Sequence, residues 1–152
     1  QYAATIASKG TRYAPRLVKE IRGTENDGSL GKVELVKEPL VMNQVNVDPE
    51  AFERVHRGFW AVTHDVGSRS YNNFGNYPVG VAGKTGSGES FYQGEVKEII
   101  NEATTNSTYV AFAPYENPEI AVAVIVPYIR NESVLPAGDL VKATMDAYFG
   151  FN

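Results

Sequence analysis

Apolar and polar residues alternate along two early stretches, "RYAPRLVKEI" (12–21) and "KVELVKE" (32–38). A period of two is the mark of a half-buried strand. The segment between them, "GTENDGSLG", is turn chemistry, so the two are expected to pair as a hairpin. The period then changes. In "VDPEAFERVHRGFWAVTHD" (47–65), Phe52, Val55, Phe59, Val62 and Thr63 recur at helical spacing. Asp48 is placed to cap that helix, and Pro49 sits at its first position, where a missing N–H costs nothing. A polar loop, 65–78, follows, and then "VGVAGKT" (79–85) reads as a strand. Residues 94–106 read as a short helix or an excursion. "STYVAFAP" (107–114) and "EIAVAVIVP" (119–127) read as a hairpin joined by "YENP". The second is apolar on both faces and is expected to be a central, buried strand. "AGDLVKATMDAYFG" (137–150) predicts a closing amphipathic helix, with Leu140, Val141, Met145, Tyr148 and Phe149 on or near its apolar face.

The opening "QYAATIASKG" also reads as a helix, stopped by Gly10 at C′. Gln1 and Tyr2 offer no N-cap, so this looks like the back half of a helix. The chain is therefore expected to be a piece of something larger, with apolar surface exposed where the rest belongs.

Composition narrows the choices. Of the 152 residues, 43% are hydrophobic and 21% charged, as in a globular domain. The net charge of -4 and the scattered lysines and arginines argue against a nucleic-acid partner. No apolar stretch reaches the roughly 18 residues of a membrane span, and the start has no signal-peptide pattern. With no cysteine and only two histidines, thiolate chemistry is excluded and no metal site is expected. His56 and His64 lie about two turns apart on the predicted helix. They read as one partly buried histidine and one near the helix C-terminus. Trp60 and the nine tyrosines read as packing rather than as a glycan platform.

The chemistry concentrates in "GVAGKTGSGES" (80–90). A phosphate loop would need glycine at 78, where Pro78 stands, and a helix after Thr85, which two glycines oppose. A glycine turn ending a strand explains the tripeptide alone. Lys-Thr-Gly is also an element of penicillin-reactive serine acyltransferases. A lysine followed by hydroxyl residues supplies a cation near a nucleophile and donors for a substrate carboxylate. Gly86 leaves room for a peptide laid along the strand. Alternation sends Lys84 to one face and Thr85 and Ser87 to the other. Both faces can border a cleft only if this is an edge strand, which is the expectation.

The surrounding segments agree. "YAATIASKGTRYAPRLVKEI", "FERVHRGFWAVTHDVGSRSY", "FGNYPVGVAGKTGSGE" and "TYVAFAPYENPEIAVAVIV" resemble, in order and spacing, the C-terminal half of the transpeptidase domain of class B penicillin-binding proteins. The resemblance spans nearly all of residues 1–152. Ser87 and Gly88 stand where the family usually has Thr and Ala, and residues 92–106 look long. The implied fold is α/β (α+β): a mainly antiparallel sheet flanked by helices, as in the penicillin-binding and serine β-lactamase-like domains. The implied activity is peptidoglycan D,D-transpeptidation through a serine acyl-enzyme, inhibited by β-lactams. The resemblance assigns Lys84 to the proton and charge network of that serine. It gives Thr85, Gly86, Ser87 and Glu89 to the substrate, and one oxyanion donor to the Ser87 backbone N–H. It implies no cofactor. It implies a stem-peptide substrate, the remaining N-terminal part of the same protein, and a membrane anchor outside this sequence on the extracytoplasmic face.

The family's S-x-x-K and S-x-N motifs are not identified with their look-alikes here. "SLGK" (29–32) falls in a hairpin turn, and "SYN" (70–72) falls too close to Lys84, so both are set aside as catalytic. The nucleophile is expected outside this sequence, and the chain alone is expected to be inactive. Two same-fold alternatives are a D,D-carboxypeptidase and a β-lactamase. A non-catalytic peptide-binding module is a third.

Overall fold

A computed structural model of the chain describes residues 1–130 and 136–151. It begins with α1 (Tyr2–Ala7), β1 (Thr11–Tyr13), β2 (Glu20–Thr24), β3 (Leu30–Val36) and β4 (Val41–Gln44). The longest helix, α2 (Pro49–His64), and the single turn α3 (Tyr71–Phe74) come next. The chain closes with β5 (Ala82–Phe91), β6 (Ala103–Ala113), β7 (Ile120–Ile129) and α4 (Ala137–Phe149).

Local chemistry sets several boundaries. The Asp48 carboxylate accepts from the Glu50 N–H at 2.9 Å and starts α2. Helix α1 ends in a paired closure, with Lys9 N–H on the Ile6 carbonyl and Gly10 N–H on that of Thr5. The left-handed C′ residue is therefore Lys9 (φ 51°), and Gly10 lies one place further on. The expected first hairpin divides. β2 and β3 pair antiparallel around a turn with Gly28 at positive φ. Residues 11–13 instead pair with β4, a strand the alternation did not announce. The division follows Pro15, which has no N–H to offer a ladder.

Among the described residues the main sheet has the order β5-β6-β7, antiparallel throughout. Thr85 lies opposite Tyr109 and Ser87 opposite Ser107. Both faces are covered. Phe74, Val81, Tyr109, Ala111, Val141 and Met145 form a core between the sheet, α3 and α4. Ala7, Phe59, Ala82 and Phe112 form another on the side of α1 and α2. On α4 the buried stripe is Ala137, Val141 and Met145, while Leu140 and Tyr148 point outward, against expectation.

One further expectation is corrected, and one of two alternatives is decided. β7 is an edge of the described sheet and β6 is its centre, although β7 is the more apolar strand. Apolar residues on both faces mark a strand that can be covered, and coverage depends on its neighbours. Of the short helix or excursion read for residues 94–106, the structure shows the excursion: a single 3-10 turn (Lys97–Ile99) stands before β6, which already begins at Ala103. The β5–β6 connection closes through Tyr92 N–H to the Glu102 carbonyl at 2.9 Å.

Candidate active site

The K-T-G segment lies on an edge strand, as alternation required. β5 starts at Ala82 and runs to Phe91, later and longer than the expected 79–85. Its one strand partner among the described residues is β6. Because 86–90 continue the strand, the helix a phosphate loop needs is absent there.

The two faces of β5 differ. Lys84 is exposed on the face it shares with Ala82, the α2 side, and its Nζ donates to the Thr85 carbonyl at 2.7 Å. Thr85 is half-buried on the other side, while Ser87 and Glu89 are exposed. Gly83 and Gly86 have reasons internal to the sheet. A Cβ at 83 would come within 2.5 Å of the Tyr109 ring. A Cβ at 86 would collide with Thr108 Oγ1. The space credited to a substrate at Gly86 is thus shared with the sheet's own Thr108.

Behind Thr85 and Ser87 lies a pocket of about 220 Å³. Arg69, Ser70 and Asn73 line it from the loop and α3, Ser107 and Tyr109 from β6, and Gly138 from α4. Asn73 Nδ2 donates to Asp139 Oδ1 at 2.7 Å and ties α3 to the first turn of α4. Tyr109 is 1% exposed, and its hydroxyl has no hydrogen-bond partner among the described residues. Burial pushes the phenol up to about 12, and nearby Ser70 tempers that rise without reaching hydrogen-bond geometry. The hydroxyl is therefore a protonated donor across the ordinary pH range.

Sequence reasoning brought Lys84, Thr85, Gly86, Ser87 and Glu89 to this edge. It missed Arg69, Asn73 and Tyr109, and it set Ser70 aside after testing it only as part of a motif. Loop 65–78 as a whole reads from the sequence either as a border of the cleft, because it leads directly into the strand, or as ordinary surface, without singling out these residues. Ser29, by contrast, sits in the β2–β3 turn, where its hydroxyl donates to Asp27 Oδ1 at 2.6 Å.

The histidines serve packing. His56 is buried with Nε2 2.7 Å from the Ile6 carbonyl. His64 stacks on Trp60 with centroids 3.5 Å apart, and desolvation lowers its pKa. Trp60 also packs against Tyr115. No group of three or more His, Asp or Glu residues suited to a metal occurs among the described residues.

Comparison with known proteins gives a consistent result. The family model for the penicillin-binding protein transpeptidase domain matches residues 1–146. Penicillin-binding protein 2B of Streptococcus pneumoniae is 39% identical over 135 residues, covering 86% of this chain and 19% of that protein. A peptidoglycan D,D-transpeptidase, MrdA, of Haemophilus influenzae is 26% identical over 149 residues, covering 94% of this chain and 22% of its own length. The solved structure of penicillin-binding protein 2B from Streptococcus pneumoniae strain R6 superposes with a TM-score of 0.82 at 32% identity, over 99% of this chain and 24% of that one. The chain thus spans about a fifth of the length of the curated relatives it matches.

Proposed function

The chain belongs to the penicillin-binding protein transpeptidase family, and on that premise we propose that it forms one wall of a peptidoglycan D,D-transpeptidase site. The observation that carries this reading is the edge strand β5, with Lys84 exposed on one face and Thr85 and Ser87 opening onto a polar pocket on the other. An extended stem peptide lies along the open edge of β5 as an added strand. Thr85 and Ser87 take its terminal carboxylate, with Glu89 flanking.

The chemistry is acyl transfer. A serine attacks the peptide carbonyl, the terminal residue leaves as an amine, and a second amine takes the acyl group. The Ser87 N–H donates to the developing oxyanion. Lys84 supplies positive charge beside the nucleophile. A β-lactam enters the same path and acylates the serine. No serine of this chain is assigned as that nucleophile. The parent acts outside the cytoplasmic membrane; no described helix here is long and apolar enough to cross one.

Intact mass with and without penicillin tests the reading. The full-length parent gains the mass of one β-lactam, whereas the 152-residue chain gains none. A parent that gains nothing overturns the acyl-transfer reading. Acylation of the isolated chain, mapped to Ser29 or Ser70, overturns the assignment of the nucleophile elsewhere.

A further inference from the structure

A second groove lies between α3 and the C-terminal half of α4, apart from the residues assigned to acyl transfer. Its volume is about 490 Å³, within the roughly 300–1,000 Å³ of ligand pockets. Tyr71, Tyr77 and Phe151 supply its aromatic walls. Tyr77 is already engaged, edge-on to Phe151 at 5.6 Å and with Lys142 Nζ 5.3 Å from its ring centroid. Tyr71 is not. It is half-buried, and among the described residues its ring meets no other ring and its hydroxyl makes no hydrogen bond. Gly75 makes room for it. That residue has an ordinary φ of -57°, yet a Cβ there would fall 2.5 Å from the Tyr71 ring and 2.8 Å from its carbonyl oxygen.

The polar groups of this groove divide into paired and unpaired. Asp146 accepts from the Tyr77 hydroxyl at 2.7 Å on one oxygen and from Lys142 Nζ at 2.8 Å on the other. Lys142 and Asp146 are the two charges lining the groove, and they cancel, so it offers no unpaired ion to a phosphate or a carboxylate. Asn72 and Asn76 also line it. Both are exposed, and their carboxamides make no hydrogen bond among the described residues. Each presents a donor and an acceptor. A neutral saccharide matches this set: its C–H face stacks on an aromatic ring, and its hydroxyl and amide groups need donors and acceptors together. We propose that the groove binds an N-acetylated saccharide, with Tyr71 as the stacking platform and Asn72 and Asn76 as hydrogen-bond partners of its hydroxyl and acetamide groups. The N-acetyl assignment rests on the peptidoglycan reading, in which the glycan strand carries the stem peptides. Asn73 lines both this groove and the pocket behind β5, so the two adjoin. A strand seated here keeps its stem peptides close to β5 and raises their effective concentration.

The test uses the full-length protein and two probes, chitotetraose and cellotetraose, with binding read by saturation-transfer NMR. The wild type should bind chitotetraose, and cellotetraose, which has no acetamide groups, should bind more weakly. Tyr71→Ala is expected to weaken chitotetraose binding by roughly 10-fold, the scale of a lost aromatic contact. Asn76→Ala, at an exposed position where the fold is little disturbed, should weaken it by roughly 2–10-fold. Penicillin acylation of both variants should match the wild type. A wild type that binds neither sugar overturns the proposal, and so does binding that both variants leave unchanged. Equal affinity for the two sugars overturns the N-acetyl assignment. Loss of acylation together with binding in both variants would show a merely structural role and overturn it as well. A wild type that binds chitotetraose at Tyr71 but gains no penicillin leaves the saccharide site standing and overturns the acyl-transfer reading.

Discussion

Tyr109, Ala111 and Ala113 on β6 and Val33 and Leu35 on β3 all occupy alternate positions of a strand. The first three are at most 1% exposed, while the other two are 40% and 46% exposed. β6 has a strand on each edge and helices over both faces. The β2–β3 hairpin packs chiefly on itself. Alternation specifies which side chains share a face; a covering element decides whether that face is buried. The two regions should therefore differ in stability, since a hairpin alone is marginal in water.

The largest expected effect tests that contrast directly. Tyr109→Ala should cost about 3–5 kcal/mol, as for other buried aromatics, whereas Leu35→Ala should cost about 0.5 kcal/mol or less. Urea unfolding of both variants measures the gap, and similar losses would break the comparison. Gly83→Ala should cost about 1–3 kcal/mol because the new methyl meets the Tyr109 ring. Combining it with Tyr109→Ala should remove most of that increment, which a double-mutant cycle would detect. Asp48→Ala should cost about 1 kcal/mol by uncapping α2, which covers one face of the main sheet.

The smallest effect is a pH dependence. Desolvation lowers the folded pKa of His64 below its ordinary 6.5. The unfolded chain then binds the proton first. The contribution of His64 is complete above that value and is lost as pH falls through the lower folded one. His64→Gln should flatten the thermal stability profile between neutral and mildly acidic pH. An unchanged slope would remove His64 from the account.

How much was legible depended on how local the cause was. Asp48 and Pro49 announce α2 because a cap is formed within three residues. Lys84, Thr85 and Ser87 announce their faces because alternation is fixed by the backbone. The central position of β6 was not legible, because it depends on what lies beside it. The pairing of Thr85 with Tyr109 was hidden by the connection 92–102, where Asn101 takes φ 66° without a glycine to signal the turn. Ser70, set aside as a motif match, also lines the pocket behind β5. It lies near Tyr109 across the fold, and no motif spacing records that.

The pocket behind β5 has a rim and a floor of different kinds, and this bears on how the protein can vary. Arg69, Ser87 and Glu89 are exposed, so replacing them disturbs little else in the fold. Tyr109, Ser70 and Ala137 are buried within the packing that supports the sheet. On the proposed reading, changes that alter ligand preference without unfolding the chain are expected at the rim. An inhibitor anchored on the floor would meet a surface with few tolerated substitutions, and escape from it would carry a cost in folding.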